Sequence, residues 1–191
     1  GVVKDGVMVM GGDSAGVAGY DLTMRDDPKV FTVKQDKGPD ALIGFTSSFR
    51  MGQLLMSLRL PEDISEDDDM DAHFEFLVTQ VIPIVRKMFK DEGYAKVVNN
   101  TESGGVFLLA YRGRIYEIQS DFQVAIPSMP YASVGSGAST AKGALYYMYR
   151  YAKAGTSNLS PEEIARRALD TAEGNNGSVR GPMKVLFAPD R

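Results

Sequence analysis

The sequence predicts an α+β domain in which helices are layered onto sheets. Strand-like and helix-like segments come in blocks (strands, two helices, strands, two helices, a last strand) and not in strict β-α alternation. The strand-like segments are short apolar runs bounded by turn residues, whereas the helix-like ones repeat their apolar residues every three to four positions. A chain of 191 residues with 43% hydrophobic side chains can bury the core of one compact domain, assigned here to residues 1–191. No linker-like stretch or solenoid repeat divides it.

The elements follow in order. Gly1–Val3 and Val7–Met10 flank Lys4-Asp5-Gly6 and read as a hairpin, because Asp-Gly supplies the positive φ of a tight turn. Lys29–Val33 and Ala41–Phe45 read as strands. Thr46-Ser47-Ser48 caps a helix from Phe49 to about Leu58, with Leu54, Leu55 and Leu58 on one face. An acidic loop spans 61–69. A longer helix follows from about Asp71 to Glu92, which Pro83 should bend or split. Gly105–Tyr111 and Ile115–Gln119 form a second hairpin around Arg112-Gly113-Arg114. Tyr131–Gly135 leads into a helix of roughly Ala138 to Lys153. Ser160-Pro161-Glu162-Glu163 starts another: Ser as cap, Pro at the first position, Glu at the third. That helix runs to about Glu173, and Met183–Ala188 closes the chain as a strand.

Composition narrows the chemistry. With no cysteine, disulfides and thiolate nucleophiles are excluded, and a reducing compartment fits. One histidine, His73, excludes a multi-histidine metal site; beside an acidic cap it is read as a surface residue without a catalytic role. A net charge of −4 argues against a nucleic-acid surface. No apolar run reaches the ~20 residues of a membrane span, and no signal peptide precedes the first strand. The expected location is therefore cytoplasmic.

Two motifs fail on spacing. Gly135-Ser136-Gly137 lacks the third glycine of a dinucleotide fingerprint, since Thr140 stands there, and reads as a tight strand-to-helix turn. Asp67, Asp69 and Asp71 alternate as in a calcium loop, but Ala72 and Val78 replace the required Gly and Glu. The Tyr146, Tyr147, Tyr149 and Tyr151 group suits core and subunit contacts better than a cofactor site. Asp13 and Lys29 remain. Taken alone they read as a structural ion pair at a hairpin end. A carboxylate at the end of an apolar strand needs a partner when partly buried, and a partly desolvated lysine can activate a neighbouring nucleophile.

Lys4-Asp5-Gly6-Val7-Met8-Val9-Met10-Gly11-Gly12-Asp13-Ser14, with Lys29-Val30 sixteen residues after Asp13, resembles the catalytic β-subunits of proteasomes. It is also similar to the peptidase subunit of the bacterial two-component ATP-dependent protease. Gly44-Phe45-Thr46-Ser47-Ser48, Val134-Gly135-Ser136-Gly137 and Pro161-Glu162-Glu163-Ile164-Ala165 with Ala168-Leu169 follow in family order along nearly the whole chain.

The resemblance implies a four-layer αββα sandwich of the N-terminal nucleophile hydrolase type, using no metal or organic cofactor. A threonine that begins the mature chain attacks the peptide carbonyl. By position, Asp13 orients Lys29, Lys29 lowers the proton affinity at the nucleophile, Ser136 organises the terminal amine, and the Ser47 N–H stabilises the oxyanion. The backbone near Val17 pairs with an extended substrate. Phe45 and Phe49 either line a pocket beside the site or belong to the core. The family's threonine falls about four residues before Gly1, so the chain beginning at Gly1 is expected to be inactive. Asn175 or Asn176 stands where the family has an aspartate ahead of Ser178. The implied partners are further copies of the chain in a ring, a peptide or unfolded protein as substrate, and an ATP-dependent unfoldase; no nucleic acid and no membrane are expected. The alternatives are a non-catalytic structural or assembly subunit of the same fold, and an N-terminal nucleophile amidase acting on a small amide.

Overall fold

The computed structural model describes residues 1–63, 69–151 and 159–189. Strands β1 (Val2–Lys4) and β2 (Val7–Gly12) pair antiparallel with Val2 opposite Val9. Their turn places Asp5 at φ 52° and Gly6 at φ 70°, the left-handed geometry the Asp-Gly pair favours. The hairpin β3 (Ala15–Ala18) and β4 (Asp21–Met24) follows, then β5 (Val30–Val33) and β6 (Ala41–Phe45). Helix α1 (Phe49–Met56) is capped by the Ser48 hydroxyl, which accepts from the Met51 N–H.

Helix α2 (Met70–Phe76) passes through a π turn, Leu77–Val81, into α3 (Ile82–Asp91). The helix is not split at Pro83: it stays helical from Met70 to Asp91, and its irregularity is the π turn immediately before Pro83. The hairpin β7 (Lys96–Val98) and β8 (Thr101–Ser103) comes next, then β9 (Phe107–Tyr111), β10 (Arg114–Ile118) and β11 (Val124–Ala125). Helices α4 (Ala138–Tyr151) and α5 (Pro161–Asn175) and strand β12 (Lys184–Pro189) complete the chain. The expected capping box opens α5, with the Ser160 and Glu163 side chains each bonding the other's backbone N–H. The expected end of α4 near Lys153 and most of the acidic loop, including Asp67, lie outside the described residues.

One sheet has the order β1-β2-β12, and a second has the order β11-β10-β9-β6-β5. Alternation along the strands decides the layers. In β2, Met8 and Met10 face the second sheet, while Val9 faces α4 and α5. In β9, Leu108 and Ala110 face the first sheet, while Leu109 and Tyr111 face α1 to α3. Both central strands are apolar on every residue because both their faces are covered. The result is four layers: α4 and α5, the first sheet, the second sheet, then α1 to α3. This is the expected αββα sandwich.

The structure overturns one reading. His73 is fully buried, edge-on to Tyr111 with ring centroids 6.2 Å apart, and is not a surface residue. It lies three and four positions before Phe76 and Leu77, on the helix face that turns inward.

Candidate functional site

β2 and β5 belong to different sheets, and their ends meet at the same edge of the sandwich. Asp13 follows the last residue of β2, and Lys29 precedes the first of β5. Lys29 Nζ donates to Asp13 Oδ1 at 2.7 Å. The two side chains are only 16% and 13% exposed, so the pair is charge-assisted and largely shielded from water. The second Asp13 oxygen accepts the backbone N–H groups of Ala15 at 3.0 Å and Arg180 at 3.3 Å.

Two turns close on this pair. Thr46-Ser47-Ser48 connects β6 to α1, and Ser47 sits there at φ 72°, a strained left-handed conformation for a residue with a Cβ. Its N–H donates to no group among the described residues, so it is free to bind an external oxygen. The second turn, Ser133 to Gly137, leads into α4. Gly135 has φ 104°, and a Cβ there would stand 2.9 Å from Thr46 Oγ1. Glycine is required on both counts, and it lets the Ser47 and Ser136 turns touch.

Ser136 is exposed, and its carbonyl accepts from Asn176 Nδ2 at 2.8 Å. Asn176 Oδ1 in turn accepts the Ser178 N–H at 2.9 Å. Asn175 instead bonds the Thr171 carbonyl within α5. Of the two asparagines, Asn176 is the one that reaches the Ser136 turn.

The N-terminal run passes between β2 and residues 130–132. The Gly1 amine donates to the Ala132 carbonyl at 2.8 Å, and the Ala132 N–H donates back to the Gly1 carbonyl at 3.1 Å. The amine is buried, and desolvation pushes it from 8.0 down to about 5. Gly1 also lines a small cavity of about 110 Å³, whose walls include Asp13, Lys29, Ser133, Ser136, Leu145 and Leu169.

An open cleft of about 690 Å³ adjoins the pair, with Val17, Phe45, Ser47, Phe49 and Ser136 among its walls. Val17, on β3, is 45% exposed. Phe45 is 5% exposed and meets Phe49 edge-on at 5.6 Å, so Phe45 belongs to both the core and the cleft wall. Sequence reasoning missed Arg25. Its guanidinium stacks on Phe49 at 3.8 Å and forms a bidentate pair with Asp27, both bonds 2.7 Å. The Arg25-Asp26-Asp27 run was its only sequence signal. Asp13, Lys29, Ser47, Ser136 and Val17 therefore all converge on one edge of the sandwich. No group of three metal-ligating side chains is found among the described residues.

An αββα sandwich whose N-terminal strand starts on the side where a lysine–aspartate pair closes the sheet ends, and runs away from it, has the architecture of the N-terminal nucleophile hydrolase fold. No family model and no curated protein matches the sequence. Solved structures do match in fold. BPH of Thiobacillus denitrificans, in complex with epoxomicin, superposes with a TM-score of 0.74 at 20% identity, covering 100% of this chain and 97% of that one. Eukaryotic HslV from Trypanosoma brucei gives 0.66 at 17% identity, covering 98% and 97%. Anbu, an ancestral β-subunit from Yersinia bercovieri, gives 0.63 at 15% identity, covering 98% and 80%. The chain thus has the proteasome-type fold.

Proposed function

We propose that the protein is a proteasome-type peptidase subunit whose nucleophile, a threonine, lies about four residues before Gly1. The carrying observation is the shielded Lys29–Asp13 pair, which lines a cavity together with Gly1. In the register of β1 and β2, Gly1 stands opposite Met10. Three preceding residues continued as a strand stand opposite Gly11, Gly12 and Asp13, and a fourth arrives beside Lys29. At ~3.3 Å per residue the segment spans about 13 Å.

In this reading Asp13 holds Lys29 aimed at the nucleophile. The cation lowers the proton affinity of the threonine hydroxyl, which attacks the scissile carbonyl while its proton passes to the terminal amine. The Ser47 N–H receives the developing oxyanion, a contribution typically worth ~10²–10³ in rate per donor. Ser136 and Asn176 fix the turn beside the amine. The terminal amine passes the hydroxyl proton to the leaving nitrogen as the C–N bond breaks, and water then hydrolyses the resulting ester to free the acid and the threonine. An extended peptide pairs with β3 at Val17.

Self-association into a ring belongs to the same proposal, as do unfolded polypeptide as substrate, an ATP-dependent unfoldase as partner and a cytoplasmic location. One of the structural neighbours is itself described as a β-subunit.

The test begins with the intact mass and N-terminal residue of the full-length protein. It continues with hydrolysis of fluorogenic peptides and binding of epoxomicin, the compound held by the BPH neighbour. The expected result is an N-terminal threonine and an activity that drops ~10²–10⁴-fold in Lys29→Ala. A native start at Gly1 removes self-contained catalysis and leaves an assembly subunit. Undiminished activity in Lys29→Ala removes the mechanism. Turnover of a small amide in preference to every peptide favours the amidase reading.

A further inference from the structure

We infer that Glu173 and Arg180 are positioning residues that hold the two halves of the site together; the inference rests on the peptidase reading for its catalytic consequence. The segment 176–182, between α5 and β12, is the physical link between the Ser136 turn and the Asp13–Lys29 pair. At its start, Asn176 bonds the Ser136 carbonyl. Further on, the Arg180 N–H donates to Asp13 Oδ2 at 3.3 Å, and the Ser14 N–H donates to the Arg180 carbonyl at 2.9 Å. The Ser14 hydroxyl donates to the Pro182 carbonyl at 2.7 Å. Asp13 and Ser14 are thus tied to this segment by three bonds within two residues.

The segment needs its own anchor, since nothing in its Gly- and Asn-rich sequence imposes a regular conformation. Two side chains supply it. Glu173, in the last turn of α5, accepts the Gly181 N–H on Oε1 at 2.9 Å. The Arg180 guanidinium turns back to the carbonyls of Glu173 and Val179, at 3.0 and 3.1 Å. A cation at a helix C-terminus satisfies an orphan carbonyl and meets the negative end of the dipole. Together they clip the segment onto α5, a helix packed against β2. Displacing the clip moves the Arg180 N–H that aims the Asp13 carboxylate, and Ser178 is the residue of the segment that also lines the cleft. Neither Glu173 nor Arg180 lines that cleft.

The test compares Glu173→Ala with Glu173→Gln in the full-length protein. Glutamine keeps an oxygen acceptor for the Gly181 N–H, whereas alanine removes it. Backbone hydrogen exchange gives a readout independent of activity. In Glu173→Ala, the Ser14 and Arg180 amides should exchange at least tenfold faster, with the β9 amides unchanged and Glu173→Gln close to the parent. Peptide hydrolysis gives the second readout: kcat should fall about tenfold in Glu173→Ala at unchanged KM and recover in Glu173→Gln. Unchanged exchange at Ser14 and Arg180 overturns the clip whatever the activity, and unchanged kcat in an active protein whose Ser14 amide has loosened overturns the positioning role. A parent protein with no peptidase activity overturns the reading above, and the exchange data alone then decide the clip.

Discussion

Lys29 can act as a held cation only while Asp13 supplies the opposite charge, and the two side chains have little water to replace it. Asp13→Asn keeps the shape but removes the charge, and it leaves the lysine short of a partner. Unfolding in urea should show a loss of roughly 1–3 kcal/mol, with peptide hydrolysis reduced by about two orders of magnitude or more. A stability equal to that of the parent would mean that the pair is relaxed by solvent. The Gly1 amine makes a second, independent prediction for the chain that starts there. Its folded value is about 5 and its ordinary value 8.0, so between these pH values the unfolded chain binds a proton that the folded chain does not. Stability contributed by this group must therefore rise as pH rises from about 5 to 8, at up to roughly 1.4 kcal/mol per pH unit. Melting curves across that window should show the rise, and extending the chain by four residues should abolish that part of it. Asp13 and Lys29 were legible in the sequence because each sits at a strand end with apolar neighbours. Asn176 was not separable from Asn175, because one residue at a helix end decides between a bond along the helix and one across to Ser136.

Elements with a strong period or a strong cap were legible, and weak ones were not. Helix α5 carried its own start signal, and Ser160→Ala should cost about 1 kcal/mol, measurable as a melting shift of roughly 2–4 °C. The hairpin β3–β4 escaped notice because Ala15-Gly16-Val17-Ala18 has little β propensity and half of it is exposed. Hairpin β7–β8 turns on Asn99 and Asn100, both at positive φ, and its strands are three residues each, too short to show alternation. His73 was misjudged because the acids before it suggested an exposed turn, whereas its position relative to Phe76 and Leu77 sets its face. Helix α1 holds a sharper test. Gly52 is an exception to helix propensity, since alanine there should gain up to ~1 kcal/mol. A Cβ at Gly52 would lie 2.2 Å from the ring of Phe45, a core overlap that typically costs 1–3 kcal/mol. Gly52→Ala should therefore lower stability despite the better helix former. It should also alter the cleft, because the overlap falls on the Phe45 ring that forms part of its wall. An unchanged or higher melting temperature would show that Phe45 shifts freely.

At the scale of the whole molecule, the order of strand and helix blocks was enough to foresee layers, since each apolar face must be covered by another element. What no local pattern encodes is which outer faces meet further copies. Among the exposed large apolar side chains of the described residues are two groups: Val17, Tyr20, Leu22 and Met24 on the β3–β4 hairpin, and Tyr146 and Tyr147 on α4 with Ile126 and Met129 nearby in sequence to its start. Isolated exposed apolar residues are ordinary, but grouped ones mark contact surfaces. Tyr146, Ile126 and Met129 line one groove, and Tyr147 is 61% exposed beside it. Charges placed there should oppose association while leaving the fold intact, because neither tyrosine is buried. For the proposed ring, native mass spectrometry should find multiples of the 20.8 kDa chain. The double substitution Tyr146→Glu and Tyr147→Glu should shift the population toward monomer with a melting temperature within a few degrees of the dissociated parent. A parent that is monomeric at tens of micromolar would remove the ring. Persistence of the full assembly in the double variant would move the contact elsewhere, with the β3–β4 hairpin the next surface to charge.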